Sequence, residues 1–316
     1  MGAAEEYDPA LPMTTGASSF ITGAEISSEQ LGTLLERAAE LKADRPALGA
    51  DSLAGRSVAL VFEMPSTRTR ISFEVGVDEL GGHPVVLKGD EMQLSRGESI
   101  ADTARVLSRY VAAVVIRSGS HDNVAELAEQ ADVPVVNALT PLHHPCQALA
   151  DLLTLRERFG TLEGLRVAYV GDGNNVAHSL TIACALTGAE LTIAHPEKHG
   201  PDQKIVQLAE KLGAAPTRTE DPQEAVNGAR VVYTDVWASM GQEAEAEERK
   251  QKFAPYQVNS ELMSLAAEDA IFLHCLPAHR GEEVTAEVID GPRSRVFDQA
   301  ENRLHAQKAL LYLLLG

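Results

Sequence analysis

The chain has 316 residues, of which 44% are hydrophobic and 23% charged, with a formal charge of −19 at pH 7. That length suits two domains, each large enough to bury its own core, and the composition is that of a globular protein. The acidic balance argues against nucleic acid or an anionic membrane as a partner, so an anionic ligand would need a local arginine cluster that wins over the global field. The cysteines Cys146, Cys184 and Cys275 form neither a disulfide framework nor a paired-cysteine metal pattern. With no apolar run of membrane-spanning length and no basic-then-apolar leader, a cytoplasmic protein is expected.

Residues 1–19 read as a loose polar arm. A first amphipathic helix opens at Ser27 with a capping box to Gln30, and Leu31, Leu34, Leu35, Ala38 and Leu41 form its apolar stripe. Strands and helices then alternate: strand 57–62, helix 67–80, strand 84–87, helix 99–109, strand 112–116, helix 122–130, strand 133–136 and helix 145–159. A second set follows, with strand 165–170, helix 176–187, strand 190–194, helix 202–212, strand 230–234, helices 243–252 and 260–266, strand 270–273 and an apolar last helix over 299–315. The order predicts an α/β protein of two doubly wound domains, each a parallel sheet flanked by helices. The order places their boundary near residue 150, with residues 1–150 expected as the first domain and 151–298 as the second.

Ser66-Thr67-Arg68-Thr69-Arg70 follows the first strand, and Pro65 ends that strand so that Ser66 can cap the next helix. Hydroxyls, free backbone N–H groups and an arginine at a positive dipole end make an anion site, with phosphate as its natural occupant. Arg68 and Arg70 lie about 200° apart around the helix. Arg68 is therefore assigned to the ligand and Arg70 to an i,i+4 pair with Glu74.

Arg117 ends a strand, where open α/β sheets bind ligands. In His144-Pro145-Cys146-Gln147, Pro145 fits the first helical position, His144 the cap, and Gln147 the same face as His144. A neutral imidazole can donate to a carbonyl oxygen while Gln147 accepts from an amide NH2, a pairing that suits a carbamoyl group. Val170-Gly171-Asp172-Gly173-Asn174-Asn175 invites a dinucleotide reading, but Val176 stands where the fingerprint needs its third glycine. Asn175 offers an amide to a polar small molecule instead. Asp235, with Ser239 and Met240 beyond it, and Cys275 end two further strands and suit a cationic amine. A zinc site from His274, Cys275 and His279 lacks a fourth ligand at useful spacing.

Ser-Thr-Arg-Thr-Arg, His-Pro-Cys-Gln, Asp-Val-Trp-Ala-Ser-Met-Gly, His-Cys-Leu-Pro and Ala-Glu-Asn-Arg stand in one order from about residue 20 to 316, and this order resembles the ornithine carbamoyltransferases. The resemblance implies transfer of the carbamoyl group of carbamoyl phosphate to the δ-amine of L-ornithine, giving L-citrulline and phosphate, with no cofactor or metal. It implies that Ser66, Thr67, Arg68 and Thr69 bind the phosphate end, with Gln93 donated by a neighbouring subunit. Arg117, His144 and Gln147 then hold the carbamoyl group, and Arg303 adds charge. Asn175, Asp235, Ser239 and Met240 take ornithine, while Cys275 and the Leu276 carbonyl serve the attacking amine and the carbamoyl NH2. Arg68, Arg117, His144 and Cys275 are thereby the catalytic set. A homotrimer with shared sites is also implied, as is a C-terminal helix, 299–316, that returns to the first domain. A carbamoyltransferase for another amine, such as putrescine, or a non-catalytic relative that binds carbamoyl phosphate remain the alternatives.

Overall fold

The computed structural model describes residues 19–45, 47–93, 97–238 and 246–316. Ser239 and Met240 lie outside the described residues, as do 1–18 of the expected arm and the start of the helix expected at 243. Helix α1 (Ser28–Ala43) leads into β1 (Ser57–Phe62), α2 (Thr67–Glu79), β2 (His83–Lys88), α3 (Ile100–Leu107), β3 (Ala113–Arg117), α4 (His121–Gln130), β4 (Val135–Leu139) and α5 (Pro145–Phe159). The second half runs β5 (Arg166–Val170), α6 (Asn175–Thr187), β6 (Glu190–Ala194), α7 (Gln203–Leu212), β7 (Thr217–Thr219), α8 (Pro222–Val226) and β8 (Val231–Tyr233). It closes with α9 (Ala246–Phe253), α10 (Ser260–Ser264), β9 (Ile271–Leu273), α11 (Ala286–Ile289) and α12 (Val296–Leu315).

Two parallel sheets result, ordered β2-β1-β3-β4 and β7-β6-β5-β8-β9. Each is buried on both faces, which is why the central strands read as unbroken apolar runs. The two-residue period divides their side chains between layers. Val58, Leu60 and Phe62 of β1 join the large core shared with α1, α5 and α12, whereas Ala59 and Val61 pack under α3 and α4. Val167 and Tyr169 of β5 face that same large core, and Ala168 and Val170 face the layer of α8, α10 and α11.

The fourth strand begins two residues later than the sequence predicts, at Val135 rather than 133, because Pro134 has no N–H to give a ladder. It then continues through Asn137, whose buried side-chain amide donates to the Ile21 carbonyl at 2.7 Å. Short β7, α8 and α11 are additions to the predicted series, and α12 begins at Val296 rather than 299. That last helix packs against α5, α1 and α2. Asn302 donates from it to Thr154 Oγ1 at 3.0 Å, and the fully buried Lys308 pairs with Glu79 at 2.7 Å. Among the described residues, no helix is long and apolar enough to cross a membrane.

Candidate active site

In each sheet the chain builds outward from one strand and then returns to its other side, so a crevice opens at the carboxyl ends of β1 and β3 and of β5 and β8. In the first sheet, Phe62 is in register with Arg117, so the guanidinium-bearing residue stands beside the strand end from which the Ser66 turn departs. Ser66 caps α2, its hydroxyl accepting from the Thr69 N–H at 3.4 Å. Thr69 is buried on the inner face of α2, and Arg68 is exposed at the helix start. Arg70 pairs with Glu74 at 3.1 Å, as its angular position predicts.

Helix α5 begins at Pro145 with His144 as its cap residue. The Gln147 Oε1 accepts from Arg303 Nη1 at 2.9 Å, and Arg303 Nη2 donates to Thr69 Oγ1 at 2.9 Å. One buried guanidinium of α12 therefore joins the starts of α2 and α5. Gln147 Nε2 in turn donates to Asp151 Oδ1 at 2.8 Å, and Gln299 Nε2 donates to the same oxygen at 2.7 Å. Asp151 lies one turn beyond Gln147, and Gln299 one turn before Arg303, so both extend faces already marked by the motifs.

In the second sheet, Tyr233 is in register with Tyr169 on one side and Leu273 on the other, which brings Asp235, the Gly171–Asn175 turn and Cys275 to one edge. Cys275 Sγ donates to Asp235 Oδ1 at 3.0 Å, and Asn174 Nδ2 donates to Asp235 Oδ2 at 2.8 Å. The neighbouring Asn175 directs its amide to the Thr140 carbonyl at 2.7 Å, bridging to the loop after β4 of the first sheet. A Cβ on Gly173 would lie 2.2 Å from the backbone of Gly200 and Pro201. The glycine-rich turn is thus filled by the protein's own chain, and Val176 is buried at the start of α6.

Charge accumulates at the first crevice. Burial, then the nearby Arg303 and Arg68, push the Arg117 guanidinium down to about 10, which leaves it cationic at neutral pH. Burial and the same three arginines hold the His144 imidazole well below the usual histidine range. A neutral imidazole beside three cations is a hydrogen-bond donor for a carbonyl oxygen in a pocket made for an anion. At the second crevice the sign reverses. Burial, then Asp235, drive the Cys275 thiol well above its ordinary value, so it is a donor rather than a thiolate.

The carbamoyl-P binding domain model of the aspartate/ornithine carbamoyltransferases matches residues 18–157, and their Asp/Orn binding domain model matches residues 163–314. The chain belongs to the aspartate/ornithine carbamoyltransferase family. An ornithine carbamoyltransferase of Carboxydothermus hydrogenoformans is 57% identical over 94% of this chain and 97% of its own length. A Pyrococcus furiosus relative named as an anabolic ornithine carbamoyltransferase is 53% identical over 92% and 94% of the two chains. The solved structure of a Pyrococcus furiosus ornithine carbamoyltransferase superposes with a TM-score of 0.91 at 51% identity, covering 96% of this chain and 99% of that one.

Within this family member, Thr69, Gln147 and Arg303 form one hydrogen-bonded set, and Arg68, Arg117 and His144 share its field. Asp235 and Cys275 form a second set. Leu276 follows with φ 57°. Gln93 is exposed after β2 and stands outside both sets, its carbonyl accepting from the Glu98 N–H at 3.2 Å. A cavity of about 700 Å³ adjoins Ser66 and Thr67 on the outer face of α2, lined further by Arg70, Ile71, Lys88 and Asp90. Sequence reasoning missed Asp151, Asn174 and Gln299. Helical spacing marks Asp151 and Gln299, and Asn174 is the side chain that caps α6.

Proposed function

We propose that this chain transfers the carbamoyl group of carbamoyl phosphate to the δ-amine of L-ornithine, yielding L-citrulline and phosphate. The observation that carries the reading is a neutral, buried His144 set among Arg68, Arg117 and Arg303. It accompanies a separate carboxylate–thiol pair, Asp235–Cys275, at the edge of the second sheet. The first group suits a dianionic acyl phosphate with its polarisable carbonyl, and the second suits an amine.

The start of α2, with Ser66, Thr67, Arg68 and Thr69, takes the phosphate oxygens on backbone N–H groups, hydroxyls and a cation. Arg117, His144 and Thr69 donate to the carbonyl oxygen and stabilise it as it becomes an oxyanion in the tetrahedral intermediate. Gln147 Oε1 keeps a second lone pair for the carbamoyl NH2, and the Leu276 carbonyl offers another acceptor. Asp235 and Asn175, with Ser239 and Met240, bind ornithine. The neutral δ-amine forms the new N–C bond, the C–O bond to phosphate breaks, and the proton lost from the nitrogen ends on the departing phosphate. Holding both substrates in line removes much of the entropic barrier, so no covalent intermediate or cofactor is required.

Residues 1–150 with the C-terminal helix serve carbamoyl phosphate, and 151–298 serve ornithine. The protein works in the cytoplasm, in the biosynthetic direction towards arginine, as a homotrimer with shared sites. The cavity beside Ser66 and Thr67 supports the last point, because it leaves room at the phosphate end for a side chain from a second copy. Colorimetric detection of ureido products across ornithine, lysine, putrescine and aspartate tests the reading. Product with ornithine alone is expected, and product only with another amine would overturn it.

A further inference from the structure

His274 and Glu283 are both fully buried, and no step above uses either. His274 Nε2 lies 3.1 Å from Glu283 Oε1, which also accepts from the His279 N–H at 2.6 Å. The other ring nitrogen, Nδ1, accepts from the Leu276 N–H at 2.9 Å. A nitrogen that accepts from a backbone N–H carries no proton, so the ring proton sits on Nε2 and is donated to Glu283. The tautomer is thus set by the two partners together. Burial alone would raise the Glu283 carboxyl, but the His274 ring and the His279 N–H outweigh it and hold it below the ordinary carboxylate range.

The recipient of this arrangement is unusual. Among the described residues only Lys198 and Leu276 are non-glycines at positive φ, and Leu276 stands at 57°. L side chains avoid that region, and they hold it where surrounding bonds leave no alternative. Glu283 is itself a fixed anchor, because its own carbonyl accepts from the Val258 N–H at 2.9 Å and Val284 bridges to Val258. The His274 N–H is also occupied, donating to Gln299 Oε1 at 3.0 Å.

We propose that Glu283 is a positioning residue for carbamoyl transfer, acting through the His274 ring to fix the Leu276 peptide and with it the Cys275–Leu276 pair at the end of β9. This rests on the reading of Cys275 and Leu276 given above. A buried His–Glu pair with a purely structural role would need only the Nε2 bond. The Nδ1 bond to Leu276 is what reaches the site.

Three measurements on the full chain decide it. Long-range proton–nitrogen spectra of protein labelled at histidine nitrogen, with His274 assigned by its loss in His274→Asn, should show the proton on Nε2 in the unliganded protein. Glu283→Ala should lower kcat about tenfold or more while moving the KM of either substrate less than about threefold. Glu283→Gln still accepts from the ring and should recover kcat to within about threefold of the parent. His274→Asn can accept from the N–H two residues on and should keep more kcat than His274→Ala. A proton on Nδ1, a folded Glu283→Ala with unchanged kcat, or equal loss in His274→Asn and His274→Ala would each overturn the proposal. Should Glu283→Ala not fold, the His274 pair and the tautomer still decide. Absence of citrulline from the parent protein would instead defeat the functional reading, and the tautomer is read without turnover.

Discussion

Cys275 Sγ donates to Asp235 Oδ1 at 3.0 Å, so the thiol at the end of β9 is spent as a hydrogen-bond donor to the carboxylate at the end of β8. Burial and that same negative charge drive its pKa well above the ordinary value. Iodoacetamide at pH 8 should therefore modify Cys275 at least about tenfold more slowly than free cysteine, although the residue is only half-buried. Asp235→Asn removes the charge that raises the pKa and should speed the labelling. Cys146 and Cys184, both pushed up to about 12 by burial, are internal controls for mass spectrometry. Labelling of the parent as fast as free cysteine would contradict the pairing.

Arg68 and Arg70 should separate cleanly. Arg70 bonds Glu74 at 3.1 Å in an exposed i,i+4 pair, which is worth only about 0.3–0.5 kcal/mol. Arg70→Ala should thus lower the melting temperature slightly and leave carbamoyl-phosphate affinity near that of the parent. Arg68→Ala should abolish measurable carbamoyl-phosphate binding by calorimetry while leaving the melting temperature nearly unchanged. The reverse pattern would exchange the two roles.

The Arg70–Glu74 pair was legible because it depends on spacing alone: residues four apart on a helix meet. The Ser27–Gln30 capping box and the cap at Ser66 were legible for the same reason, and both form. What the sequence hid depends on contacts between distant segments. Arg303 reaches Thr69 across 234 positions, and only the motif order pointed to it. Asn174 and Asn175 are chemically identical, and nothing local says that the first turns to Asp235 and the second to Thr140. Thr217–Thr219 has no apolar alternation because it is a three-residue edge strand paired on one side only.

Asp151 should leave a signature in stability. Burial lifts its carboxyl from 3.8 to about 6, against the lowering effect of bonds from Gln147, Gln299 and Tyr233. Between those values the native state keeps a proton that the unfolded chain has lost. Stability contributed by this group is therefore highest at low pH and falls as pH rises through about 4 to 6. Asp151→Asn lacks the titration. The stability of the parent minus that of the variant should fall by about 3 kcal/mol across that window, at about 1.4 kcal/mol per pH unit. Asp172, also raised to about 6 by burial, is present in both proteins and cancels from the difference. Urea midpoints measured at each pH give the difference directly, and a flat or rising difference would contradict the assignment.

The last prediction concerns Gln93. It is exposed on the stretch after β2, outside the hydrogen-bonded sets of its own chain. The cavity of about 700 Å³ beside Ser66 and Thr67 lies on the outer face of α2, and Arg303 is not among its lining residues. If the chain assembles as the proposed trimer and Gln93 donates its amide to the phosphate held by a neighbour, closed cyclic symmetry gives three shared sites. A Gln93→Ala chain lacks the donated amide but keeps Arg68, and an Arg68→Ala chain has the opposite defect. Each variant alone should be poorly active. In any mixed trimer, one interface joins an intact Arg68 to an intact Gln93, so co-assembly should restore roughly one third of parental activity. Mixed trimers separated by differential tags, with kcat measured per trimer, provide the test. Activity no greater than the average of the two parent variants would mean that Gln93 does not act across the interface.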